Sequence, residues 1–533
     1  VAGRVCRAFA RPDTLFFLTV WAAFLVIFRE RGFYDPGSLW HIKVGDWILD
    51  RGFPWTDPFT YTFAGHTWIP QQWGAEVLMA LAHRAGGFDT MLLGFCTLVA
   101  GLYAWVFARM RQAGMSWALA GVFTSAGLFA GAFHYFVRPH MFTIAFMGWT
   151  MACLVDFDRG RATLWRLLGL VPLYVLWTNL HGGVLGGDMM LGLAVAGWGA
   201  VFLWQQLRKG TTTVPEGETP PAEVSPNPVR SWRTLVVLMA IVGACGLAPF
   251  ANPFGMEMLN TWKRIVGSEV LKNVVNEHKP LNLTSAADQV IFGFGVGYLI
   301  LFAGTFPQRP RVTWLIPLVW FALTFRGIRQ GPLFAVTAVV VFADFWPHTV
   351  WCRLLKKYGD SLVQDPPDPT AALSWRGLVV PVLAVLAVFG LQASDTHVPV
   401  VGRGWAQIDS GYAPLELTDT LHAYARAAGP NARLFNDANL GGYLIYHVPE
   451  MKIFMDDRFE LYGDAWTAEY VDMIWYHPEY LDNYLTRYDL DLALVVTNDR
   501  EPSTLDAYLA SCKGWREIGR TKCAALYRRD RGQ

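Results

Sequence analysis

Long apolar runs recur along this chain of 533 residues, and they limit its fold more than any other feature. A helix crossing a bilayer needs about 20 mostly apolar residues, because its backbone polar groups must be satisfied internally. Eleven segments approach that length: 14–30, 88–108, 115–134, 139–155, 164–180, 184–204, 233–250, 288–306, 312–326, 330–348 and 376–392. Charged residues make up 16 % of the chain, against about 25 % in a typical soluble domain. The 24 Trp point the same way, since Trp gathers at membrane interfaces. A net charge of +1 supplies no basic face for nucleic acid. The expected fold class is mainly α: a polytopic membrane helix bundle of about eleven spans, with the lipid bilayer as its surroundings.

The composition changes near residue 392. Residues 1–392 form the expected transmembrane domain, and 393–533 read as a soluble domain. In that tail, strands are expected at Arg433–Asn436, Lys452–Met455, Leu492–Val496, Arg516–Ile518 and Ala524–Tyr527. Helices between them predict a small C-terminal α/β domain with a mainly parallel sheet. Cys512 and Cys523 would be able to pair in an oxidising compartment. No small-residue cleavage site follows the first apolar run, so it is expected to stay as a span.

Loop charges orient the chain. With a cytoplasmic N-terminus, eighteen Lys and Arg fall on inside segments, from Arg4 to Arg376. The three shortest outside loops hold only Arg138, Arg326 and Arg329. That asymmetry follows the positive-inside rule, and eleven spans then place the tail outside. The inside stretch 208–231 contains a Pro-, Glu- and Thr-rich linker, Thr211 to Pro228, that reads as disordered. The first outside loop, 30–87, contains two amphipathic helices. One presents Trp40, Val44, Trp47 and Ile48 on a face, the other Trp73, Val77, Leu78 and Leu81. Such helices lie in the interface plane.

Polar side chains at membrane depth are costly and mark functional sites by default. Seven of the eight histidines before the tail fall on the outside half: His41, His66, His83, His134, His140, His181 and His278. One outward-facing polar cavity would gather them. Asp35, just beyond the first span, is the candidate general base, or else a helix cap. His41 is a second proton carrier or a buried interfacial histidine. Asp57, Gln72 and Trp73 sit in an aromatic, turn-rich stretch suited to sugar rings or to interface anchoring. Arg138 and His140 open the fourth span, Asn179 and His181 close the fifth, Asn252 follows the seventh, and Glu277 and His278 occupy the second long outside loop. Arg326 and Arg329 are three apart at the end of the ninth span, so one helical face would present both as a phosphate clamp. Headgroup snorkelling is the competing use. In the tail, Asn436-Asp437 and Asp456-Asp457-Arg458 end expected strands and read as turns.

The succession Asp35, Trp40-His41, Gly45, Gly52, Pro54, Gly65–Trp68 and Gln71-Gln72-Trp73 resembles the first loop of the GT-C glycosyltransferase superfamily. Bacterial membrane proteins described as glycosyltransferase-like share more: Asp57-Pro58-Phe59, Arg138-Pro139-His140, Asn179 with His181-Gly182, Asn252-Pro253, Arg326 with Arg329, and Asp457-Arg458. The chain departs from the mannosyltransferase pattern, where Asp-Glu often stands; here Asp35 precedes Pro36. The Lys-Pro-Pro of aminoarabinose transferases has no counterpart. The resemblance implies an inner-membrane enzyme of a bacterium. It implies a polyprenyl-phosphate sugar donor, a glycan, lipid or protein acceptor, and inversion at the anomeric carbon. Asp35 would activate the acceptor, Arg326, Arg329 and Arg138 would meet the donor phosphate, and arginine or a divalent metal would stabilise the leaving group. A transporter or flippase for lipid-linked sugars, and a glycan ligase or polymerase, are the alternatives. The absence of a repeated first-loop pattern weighs against the transporter.

Overall fold

The computed structural model describes residues 11–209, 227–359, 379–393, 405–497 and 502–530. Helices dominate, and eight are long and apolar enough to cross a membrane: Pro12–Arg31, Trp73–Gln112, Trp117–His134, His140–Asp158, Val184–Arg208, Trp232–Phe250, Ala286–Ala303 and Ile328–His348. Two of the other expected spans are helical but shorter, and the third is described only in part. Gly169 divides 164–180 into Leu164–Leu168 and Leu170–Leu180. Val312–Thr324 contains Pro317 and stops two residues early. Of the expected span 376–392, the described part lies in the helix Val379–Ala393. Among the described residues, eight helices are thus full-length candidates. The linker at 211–228 lies almost wholly outside the described residues, as does the boundary at 394–404.

Ile328–His348 is the central helix, 83 % buried, whereas Ala286–Ala303 is 28 % buried. Small residues let neighbours approach it closely. A Cβ on Gly127 would strike Val339, and one on Gly148 would strike Val336. The peripheral helices expose Val122, Phe129, Val236 and Ile300. Exposed apolar side chains on candidate spans suit lipid. Trp73–Gln112 runs for 40 residues but breaks at Gly86 and Gly87. Gly87 has φ 66°, a left-handed conformation that glycine adopts without strain. The break joins the amphipathic first-loop helix to the apolar stretch after it.

The two first-loop helices pack as a pair. Of the expected face, Gly37–Arg51 buries Trp40 and Val44 and leaves Trp47 and Ile48 partly exposed; Leu39, His41 and Ile42 are buried as well, because the helix is packed on more than one side. Gly45 lies so close to the Glu76 carbonyl that a Cβ would not fit. In the second helix the buried residues are Ala75, Glu76, Met79 and Ala80, while Leu78 and Leu81 stay about half exposed. Its apolar face therefore looks outward, as expected for a helix lying in an interface.

The tail sheet has the order β1-β2-β4-β3, from β1 (Leu434–Asn436), β2 (Leu492–Val496), β3 (Trp515–Arg520) and β4 (Ala524–Arg529). Only β1 and β2 are parallel; β2 with β4 and β3 with β4 are antiparallel. The expectation of a mainly parallel sheet fails, since two of the three pairs are antiparallel; for β3 with β4 the tight hairpin at 521–523 forces it. Lys452–Met455 is not a sheet strand. Its backbone partners lie in the first loop: Ile453 N–H donates to the Phe59 carbonyl (3.0 Å) and Tyr61 N–H to the Ile453 carbonyl (3.1 Å). Cys512 and Cys523 are free thiols.

Loop and tail form one body. The Tyr61 hydroxyl donates to the Leu434 carbonyl (2.9 Å), and the Gln407 N–H to the Arg29 carbonyl (2.8 Å). Gly442 rests on the Pro36 carbonyl with no room for a Cβ. At the seam, Arg458 is fully buried between Asp57 (2.8 Å) and Asp456 (2.6 Å). Its guanidinium carbon lies 4.5 Å from the Trp68 ring centre.

Candidate functional site

Pro36 keeps the chain out of a helix at Asp35, and the Gly37–Arg51 helix starts immediately after. The Gly37 N–H donates to Asp35 Oδ1 (2.8 Å). Arg138 reaches Asp35 Oδ2 from the Phe136–Pro139 turn (2.7 Å). The cap reading of Asp35 matches the Gly37 bond, and both carboxylate oxygens are engaged. Burial works against the Arg138 charge, but Asp35, Glu277 and Asp457 outweigh it and hold the guanidinium above its usual range.

Around this pair lie groups from four further segments. His134 Nε2 is 3.3 Å from Glu277 Oε2. His140 donates from Nε2 to the His134 carbonyl (2.7 Å), and the two rings are 4.5 Å apart. Arg329 donates to His278 Nε2 (2.5 Å), which requires a neutral imidazole. Burial, then Arg329, depresses His278 to about 4. Burial alone would raise the Glu277 carboxyl; His134, Arg138, His278 and Arg329 bring it down to about 2.

His181 ends the Leu170–Leu180 helix and receives two hydrogen bonds at Nδ1. The Gly183 N–H donates one (2.9 Å) and the Thr143 hydroxyl the other (2.8 Å). Trp177 fixes that hydroxyl by donating to its oxygen (2.8 Å). A neutral His181 then carries its proton on Nε2. Burial, followed by Arg138 and Arg329, depresses it to about 3.

The tail contributes Asp457, which the sequence pattern places in a turn. It accepts the Trp40 indole N–H (2.6 Å). Burial, with Asp35 and Asp456 adding repulsion against the pull of Arg138, pushes its carboxyl up to about 7. The legible signal was the Asp-Asp-Arg triplet; what it lacked was the loop that meets it.

Asp35, Arg138, His140, His181, Glu277, His278 and Arg329 therefore form one electrostatic neighbourhood, joined by His134 and Asp457. The remaining candidates have other surroundings. Asp57 is sealed against Arg458 and also accepts the Thr60 N–H (2.9 Å). His41 is buried with Glu76 (2.9 Å) behind the Trp40 ring. Burial, then Arg138 and His181, depresses it well below the usual histidine range. Gln72 precedes the second first-loop helix, and its carbonyl accepts the Glu76 N–H. Trp73 donates to Asn179 Oδ1 (2.8 Å), whose amide donates onward to the Val175 and Ala251 carbonyls (2.8 Å each). Asn252 shapes its own turn through the Phe254 N–H (2.6 Å). Arg326 is exposed. It does not share a helical face with Arg329, because the helix ends at Thr324 and Arg329 belongs to a separate 3-10 turn.

Among the described residues no group of three or more His, Cys, Asp or Glu side chains has the arrangement of a metal site. Arg138 and Arg329, beside neutral imidazoles, are the groups here that would meet an anion such as phosphate, with Asp35 and Glu277 as their present counter-charges. A carboxylate beside it suits proton transfer. No family model and no curated protein matches this chain.

Proposed function

We propose that the chain is an inverting glycosyltransferase that moves a sugar from a polyprenyl-phosphate donor to an acceptor hydroxyl at a membrane surface. The observation that carries this reading is the gathering of Asp35, Arg138, His181 and Arg329 in one neighbourhood beside the helix bundle. The donor phosphate competes for Arg138 and so releases Asp35 Oδ2. The acceptor oxygen attacks the anomeric carbon as its proton passes to Asp35. The bond from that carbon to the phosphate oxygen breaks, and polyprenyl phosphate departs against Arg138 and Arg329. Attack opposite the leaving group inverts the centre. Asp457, near neutrality in its titration, is placed in this reading to carry the proton away.

The topology belongs to the same reading. Asp35 follows the first candidate span, so it faces the side opposite the N-terminus once that helix crosses. The tail packs on the Asp35 loop and must share that side. An odd number of crossings satisfies this, which favours eleven, with the other three helices crossing too. We place the N-terminus in the cytoplasm of a bacterial cell and the tail outside its inner membrane.

The test is transfer from radiolabelled polyprenyl-phosphate sugars by purified protein carrying Asp35→Asn or Arg329→Ala. Both are expected to lose activity by at least about a hundredfold, the range of a missing acid–base or charge-stabilising group. Undiminished transfer by Asp35→Asn removes the proposed base. A cysteine at Thr212 that reacts with an impermeant reagent from outside overturns the orientation.

A further inference from the structure

At the far end of His140–Asp158, about 27 Å from His140 by helical rise, lies a second charged cluster that the proposed transfer does not use. Asp156 there is shared by three guanidiniums. Arg109 binds it with two hydrogen bonds (2.8 and 3.1 Å); Arg161 and Arg166 each stand 3.3 Å away. Arg161 and Arg166 are 53 % and 42 % exposed, so both still face outward. Asp344 balances Arg159 and shares Arg161, and Asp158 faces Arg311. Five guanidiniums thus surround three carboxylates.

An apolar groove of 370 Å³ runs along the helix bundle, lined by Leu98, Gly101, Leu102 and Phe146, and also by Trp105 and Trp149, the rings over which two of these arginines lie. Trp105 and Trp149 stack at its charged end, ring centres 5.7 Å apart. Arg109 lies over Trp105 (5.5 Å) and Arg166 over Trp149 (5.9 Å). Apolar wall, paired indoles and guanidiniums succeed one another in the order that a lipid presents chain, interface and headgroup.

We infer that this groove is a binding site for an anionic lipid. Its chain would lie along Leu98, Leu102 and Phe146 and its phosphate between Arg161 and Arg166, in the leaflet opposite Asp35. The excess of positive charge at the groove's mouth selects an anionic headgroup over a zwitterionic one. The assignment stands on this geometry and not on the glycosyltransferase reading.

The experiment is native mass spectrometry of the full-length protein exchanged into mixed micelles of phosphatidylglycerol and phosphatidylcholine with identical chains. Inorganic phosphate forms a separate arm. Wild type is expected to retain phosphatidylglycerol in preference to phosphatidylcholine. Arg161→Gln with Arg166→Gln is expected to cut that retention by more than about tenfold, from about fivefold for each basic residue near the headgroup. Arg166→Lys should keep most of it. Gly101→Leu leaves the guanidiniums in place and fills the groove, since a Cβ there meets open space. It should also displace the lipid, and it serves if the double glutamine variant does not fold. Equal retention of the two lipids by wild type overturns the proposal, and so does undiminished phosphatidylglycerol in Gly101→Leu. Phosphate that binds alone and displaces the lipid completely would show a free-anion site and overturn the lipid assignment.

Discussion

Replacing Arg458 by Met tests how the tail is held to the first loop. Arg458, Asp57 and Asp456 are each shielded from solvent, so the change leaves two carboxylates facing one another without a cation. Breaking one buried ion pair costs about 3–5 kcal/mol, and two orphaned acids put this variant at the upper end. Asp57→Asn keeps the Asp456–Arg458 pair neutral. It loses one charge-assisted bond, about 1.5–3 kcal/mol. Opening the seam returns Asp57 to water, so the cost falls on docking of the tail. A penalty of 3–5 kcal/mol raises the undocked population about a hundred- to several-thousand-fold. Limited proteolysis of the purified protein reads this as tail release, with the protected helix bundle as internal reference. The order of release should be Arg458→Met, then Asp57→Asn, then wild type. Adding Asp57→Asn and Asp456→Asn to Arg458→Met should restore much of the docking, because no charge is then buried. Wild-type release by Arg458→Met, or less release than from Asp57→Asn, would refute the reasoning.

Gly442→Ala drives a methyl onto the Pro36 carbonyl and should weaken docking by about 1–3 kcal/mol in the same assay; Gly94→Ala, where a Cβ meets open space, should cost nothing. Asp457 titrates near 7 in the folded chain against an ordinary 3.8, so the folded state holds an extra proton between those values and loses stability as pH rises through them. Asp457→Asn should flatten that part of a melting-temperature profile while its amide oxygen still accepts the Trp40 indole. Asp344→Ala strips the buried partner of Arg159 and should lower thermal stability by about 3–5 kcal/mol, whereas Asp13→Ala at the exposed Arg11 pair should change it by less than about 1 kcal/mol.

The helices were legible because their signal is local: each apolar run becomes a helix, and Trp40 and Val44 are buried as their spacing predicts. Local signals also mark where lengths fall short, at Gly169 and Pro317. What the sequence hides is partnership across distance. Asp57 has the surroundings of a sugar-binding turn until Arg458 arrives from the tail. Lys452–Met455 has strand composition, yet its hydrogen bonds go to Phe59 and Tyr61 rather than to the sheet. Asp457 resembles any residue at a turn until Trp40 and Arg138 stand beside it. Arg326 and Arg329 were paired by helical spacing, and the spacing lost its meaning where the helix stopped at Thr324.

The Trp40–Asp457 hydrogen bond joins residues 417 positions apart. During synthesis the first loop must therefore wait through the manufacture of nearly the whole bundle before its last neighbour emerges. Until then Asp57 lacks its cation and Trp40 its acceptor, so the nascent loop stays hydrated and unfinished. Any chain cut short before Arg458 is left with an open seam that a protease can recognise. The Asp35 neighbourhood is complete only once the chain has been made as far as Arg458.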